Sequence, residues 1–168
     1  MGFFSMDIGT LDELFIHTLS DIYYAEMKIE SGLPAMIERA TYPDLKSGFE
    51  QHLGQTRNHV RRIEQVFEML GVEAKQVVCP AIDGILKEAN EVAGDIDERS
   101  VLDAGLIAAA QAVEHYEISR YGSLIAWANQ LGRSDCAALL QQTLQEEKAT
   151  DSKLTLLADQ HINQRAAE

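Results

Sequence analysis

The stretch SVLDAGLIAAAQAVEHYEISRYGSLIAWANQL, Ser100 to Leu131, decides the reading of this chain. It opens on Ser100-Val101-Leu102-Asp103, read as a helix cap with an acidic residue in the first turn, contains no proline and is rich in good helix formers. Ile107, Ala110, Glu114, Glu117, Tyr121 and Leu124 recur at alternating steps of three and four, the spacing of one helical face. Two of the six are glutamates. A carboxylate on a core face is costly unless it is paired, protonated or bound to a cation. A long helix with acids turned toward its bundle is therefore the starting expectation. His115 falls to the side of that face.

Outward from this stretch, three more long helices are predicted. The first spans about 10–40. It opens on a capping-box pattern, Thr10-Leu11-Asp12-Glu13, and carries Phe15, Ile22, Glu26, Ile29, Leu33 and Ile37 at helical spacing. Gly32 and Pro34 predict a kink within it. The second spans about 43–70, from Pro43 at the first turn to Gly71 as the stop. Its seam is Phe49, Leu53, Thr56, Val60, Ile63, Phe67 and Leu70, with His52, Gln55 and His59 clustered about one inward face. The last spans about 134–160, with Leu140, Leu144, Glu147, Asp151, Leu154 and Ala158 as its seam. Glu146 and Lys148 flank that seam and are expected in solvent, and the tail from Asn163 is expected to fray.

Residues 72–99 are too many for a tight turn between antiparallel neighbours. They read as a crossover with a short helix from Pro80 to about Val92. Two helical hairpins joined by one long crossover make an all-α, ferritin-like four-helix bundle, expected as a single domain over 1–168.

Composition narrows the function classes. Fourteen basic residues face 27 acidic ones, a net charge of −13. That sign argues against nucleic acid and against anionic membrane surfaces as partners. No apolar run approaches a bilayer span. The start Met1-Gly2-Phe3-Phe4-Ser5-Met6 has neither the basic nor the apolar region of a secretory signal. Cys79 and Cys136 form no close pair, which fits a reducing cytoplasm. Cys79 reads as a small buried hydrophobe.

Each long helix brings polar groups toward a common depth: Glu26 (with Asp21 beside it), then His52 and His59, then Glu114 and Glu117, then Glu147 and Asp151. Carboxylate and imidazole ligands suit iron or manganese. A di-metal centre is one reading. A metal-free, hydrogen-bonded polar core that fixes one packing arrangement is the other, in a helical module acting through homodimerisation and protein partners.

Tyr24-Ala25-Glu26, His52-Leu53 with Thr56, Cys79, Val113 to Tyr121 and Glu146 to Asp151 together resemble the YciF-type bacterial stress proteins. That resemblance covers nearly the whole chain. It implies a ferritin-like fold related to rubrerythrin, a dimer, a bacterial cytoplasm and an association with stress. The chain departs from the di-iron pattern of Glu-x-x-His on the second and fourth helices. Thr56 stands three residues before His59, and Glu147 is followed by Thr150 and Asp151 rather than by a ligating His. A homodimer is also expected from the apolar excess at Leu106 to Ala110 and Leu124 to Trp127, with Ile16, Tyr23 and Phe3-Phe4.

Overall fold

The computed structural model describes residues 8–168, so the readings placed on Met1 to Met6, Phe3-Phe4 included, lie outside the described residues. Helix α1 runs Leu11–Arg39, α2 Pro43–Leu70, α3 Pro80–Gly94, α4 Arg99–Gln130 and α5 Ser134–Leu157. One π-helical turn, Ala158–Ile162, and a last turn, α6 Asn163–Ala166, complete the chain. The long helices form a ring in which α1 packs on α2, α2 on α5, α5 on α4 and α4 on α1. The crossover helix α3 lies against α4. The fold is the expected all-α four-helix bundle with a crossover.

Local chemistry accounts for the helix ends. Thr10 and Glu13 close the capping box, the Glu13 N–H donating to Thr10 Oγ1 at 3.2 Å and the Thr10 N–H to Glu13 Oε2 at 3.0 Å. Gly71 ends α2 at φ +68°, a left-handed conformation that glycine adopts without a Cβ clash. Pro34 sits inside a continuous α1. The Val77 N–H donates to the Ser20 carbonyl at 3.2 Å, which pins the crossover to α1.

Two expectations need correction. The N-terminal cap of α4 is Glu98, whose carboxylate accepts the Ser100 N–H. Asp103, read as a first-turn acid, is instead buried and accepts from Thr41 N at 2.8 Å, Thr41 Oγ1 at 2.6 Å and Tyr42 N at 3.0 Å. It closes the α1–α2 corner, where the chain has left the helix and its N–H groups lack helical partners. The tail from Asn163 is also helical rather than frayed. The wider π turn accompanies a buried Ile162, while His161 stacks on Tyr42 and the Arg165 guanidinium lies over the same ring.

The core is continuous along the bundle. Phe15, Leu19, Ile22, Phe49, Ile63, Phe67, Leu124 and Leu140 are among its buried side chains, each contributing about 1.5–3 kcal/mol of burial. All six positions of the α4 seam, Ile107 to Leu124, are buried.

Candidate metal centre

Midway along this apolar core six ionisable side chains meet. Glu26 comes from α1, His52 and His59 from α2, Glu114 and Glu117 from α4, and Glu147 from α5. All six are at most 4% exposed. Helical spacing explains the convergence: His52 and His59 are two turns apart, Glu114 and Glu117 one turn apart, so each pair shares a face.

The six divide into two groups that share Glu147. His52, Glu114, Glu117 and Glu147 offer ligand atoms within 4.8 Å of one another, as do Glu26, His59 and Glu147. His52 Nε2 lies 3.1 Å from Glu114 Oε1 and 4.0 Å from Glu147 Oε2. His59 Nδ1 lies 2.9 Å from Glu147 Oε1 and 3.3 Å from Glu26 Oε1. Yet His52 Nε2, His59 Nδ1, Glu26 Oε2, Glu114 Oε2 and both carboxylate oxygens of Glu117 and of Glu147 are buried without a hydrogen-bond partner. These atoms converge on shared points rather than bonding to each other. Orphaned buried polar atoms are rare in native cores, and a donor set of imidazole nitrogen and carboxylate oxygen is what a hard divalent cation takes. The residues therefore fit a metal.

An outer layer orients the cluster. Glu146 Oε2 accepts from His59 Nε2 at 2.8 Å. A carboxylate only accepts there, so Nε2 carries a proton and Nδ1 faces inward, where a neutral imidazole would offer its lone pair to a cation. Arg62 holds Glu146 in a fork, Nη1 to Oε2 at 2.8 Å and Nη2 to Oε1 at 2.9 Å. The Tyr121 hydroxyl, fully buried, donates to Glu26 Oε1. Thr150 Oγ1 stands 3.4 Å from His52 Nδ1.

Without a cation the clustered groups shift one another's protonation. Burial pulls the His59 imidazole down, but Glu26 and Glu147 outweigh it and hold it up at about 11. Burial, with Glu147 and Glu26 adding, pushes Glu114 up to about 11 and Glu117 well above the carboxylate range. Burial also acts to raise Glu147, but His59 and His52 bring it below its ordinary value. Burial, then Glu26 and Glu117, raises the Tyr121 phenol. Arg62 is the main cause of the lowered Glu146.

Of the residues named from sequence, Glu26, His52, His59, Glu114, Glu117 and Glu147 are brought together. Asp151 is not among them. One turn beyond Glu147, it sits at the bundle edge, 21% exposed, and accepts from Gln111 Nε2 at 2.9 Å, with His115 Nε2 at 3.2 Å. Asp21 and Gln55 are also half-buried and outside both groups. His115 lies on the surface, as its spacing implied. Glu146, expected in solvent, is the partner of His59. Arg62 escaped the sequence reading altogether, since nothing in a pattern of charges says which acid a given arginine meets across a bundle.

A two-hairpin bundle with a crossover helix and a buried carboxylate–histidine cluster defines a protein of the ferritin-like class. Residues 10–167 match the family described as Domain of unknown function (DUF892), and the chain belongs to that family. It is 44% identical over 162 residues to Protein YciF of Escherichia coli (strain K12), spanning 96% of this chain and 98% of that one. The crystal structure of that E. coli stress protein superposes with a TM-score of 0.88 at 44% identity, covering 93% of this chain and 99% of it. YcfI of Rhodopseudomonas palustris superposes equally, with a TM-score of 0.88 at 54% identity, over 91% of this chain and 98% of that one. A Xanthomonas campestris protein, at 23% identity and a TM-score of 0.73 over 89% and 92%, shares the fold alone.

Proposed function

We propose that this chain is a stress-response protein that carries two divalent cations, iron or manganese, in its bundle core and uses them in iron or peroxide handling. One observation carries the reading: eight buried ligand atoms on two histidines and four glutamates have no hydrogen-bond partner. Charge balance supports it, because four ionised carboxylates match two divalent cations, whereas alone they would face the full cost of burial. Glu147 belongs to both groups and would bridge them. The description of the E. coli relative as a stress protein supports the physiological part.

Bound cations would supply Lewis acidity and, for iron or manganese, redox chemistry. The protein's own contribution is positional. Arg62 and Glu146 keep a proton on His59 Nε2, and Tyr121 fixes one oxygen of Glu26. Among the described residues no helix is long and apolar enough to cross a membrane, and the acidic, free-thiol composition supports a cytoplasmic location.

Elemental analysis of protein purified without chelator tests the reading. Near-stoichiometric iron or manganese, lost in the Glu114→Ala, Glu147→Ala double variant, is expected. Protein that emerges metal-free and takes up neither metal on titration would rule it out.

A further inference from the structure

A chamber of about 380 Å³ lies between α1, α3 and α4. Its mouth is formed by exposed Lys28 and Ser31 of α1 and Lys87 and Asn90 of α3. Its walls are apolar, with Ile29, Leu33, Met36, Leu86, Leu106 and Val113 facing in. Its floor is His52 and Glu114, the pair 3.1 Å apart in the cluster. Glu26, His59 and Tyr121 do not line it. The chamber thus leads from solvent to one half of the cluster, while Glu26 and His59 of the other half are fully buried.

Two properties select an occupant. The volume lies within the roughly 300–1,000 Å³ of pockets for small organic molecules, and a peroxide would leave it nearly empty. The rim is basic in a chain of net charge −13: Lys28, Lys87 and Arg39 line the chamber against two acids, Asp83, already engaged by the Tyr24 hydroxyl at 2.9 Å, and Glu114 on the floor, 3.1 Å from His52. Arg39 is committed to the Ala93 carbonyl; Lys87 Nζ stands 3.7 Å from Glu91 Oε1 and Lys28 Nζ 5.3 Å over the Tyr24 ring, exposed contacts worth about 1 kcal/mol or less, which either ammonium can exchange for an anion at the mouth. We propose that the chamber binds a medium-chain fatty acid, its carboxylate at Lys28 and Lys87 and its hydrocarbon end on the His52–Glu114 floor. This deepens the two-metal reading by naming a ligand class for that site, and only the role of the floor rests on that reading. The crossover helix α3 then has a task, as one wall of the chamber.

The probe is a series of hexanoate, octanoate and decanoate, titrated by calorimetry into metal-free and Mn²⁺-loaded protein. Each added CH₂ should tighten binding about fourfold, the value of a fully buried methylene. Ala109→Phe, at a half-exposed wall position, fills the chamber and should weaken decanoate at least tenfold. Lys28→Glu and Lys87→Glu should each weaken it about two- to fivefold, the range of exposed ion pairs. In the Mn²⁺ form, paramagnetic broadening should be stronger at the terminal methyl of decanoate than at its α-methylene. Absence of binding, or binding that Ala109→Phe leaves unchanged, overturns the chamber. Broadening strongest at the α-methylene overturns the orientation. Decanoate binding in a protein that takes up no Mn²⁺ sustains the chamber and sinks the two-metal reading.

Discussion

Glu117→Gln separates a metal centre from a structural polar network. Glu117 is fully buried, and neither carboxylate oxygen has a hydrogen-bond partner. In the metal-free protein it contributes no bond that an amide of the same shape would lose, so the melting temperature of the metal-free variant should stay within about 2 °C of wild type or rise, given about 2–4 °C per kcal/mol at this chain length. The metal-loaded protein behaves oppositely. A cation held at one hundred times its Kd stabilises by about 2.7 kcal/mol, or about 5–11 °C, and the variant should lose most of that gain. Were Glu117 a member of a satisfied network, truncating its charge would break a buried pair, costing about 3–5 kcal/mol. Calorimetric melting with and without Mn²⁺ reads all four numbers. A metal-free variant that melts about 6 °C or more below wild type, with Mn²⁺ shifting neither protein, would refute the reasoning.

Other consequences follow from the same geometry. His59 and Glu114 are both held at about 11, above their unfolded values of 6.5 and 4.5. The folded metal-free protein therefore binds more protons than the unfolded chain between those values, and denaturant midpoints should fall as pH rises from about 5 toward 11. Cation binding displaces these protons, so Mn²⁺ affinity should rise with pH and each titration should acidify a weakly buffered solution. Asp103→Ala strands the Thr41 and Tyr42 N–H groups and should cost about 3 kcal/mol, read as a lower midpoint in urea. Cys79 is buried with Sγ 3.1 Å from the Tyr116 hydroxyl, so a thiol reagent should label it slowly in native protein and at once after unfolding. We also propose that the chain is a homodimer. Light scattering at micromolar concentration should give twice the chain mass, and a concentration-independent monomer mass would refute that proposal.

Much of the centre was legible in one dimension because helical periodicity alone fixes which residues share a face. Glu114, Glu117 and Glu147 sit on seams whose apolar neighbours must be buried, so their own burial follows from the chain. The glutamate in the first helix follows by the same rule; in the second the seam read through Leu53, Val60 and Leu70 is off by a residue, since those three are half-buried and the buried line runs through His52, Thr56, His59, Ile63 and Val66. Periodicity says nothing of what stands across the bundle. Glu146 and Asp151 both flank Glu147 on α5, and only the placement of α2 against α5 decides that Glu146 reaches His59 and Arg62, while Asp151 is left to Gln111 and His115 at the edge. Asp103 has the sequence of a first-turn acid, yet the return of the chain at Thr41 supplies stronger partners. The chamber above His52 exists only because α3 is laid along α4 beside α1, and no residue in its walls differs in type from ordinary core. The sequence determines faces through local geometry. The tertiary structure determines partners, because they are set by the distance and rotation between helices far apart in the chain.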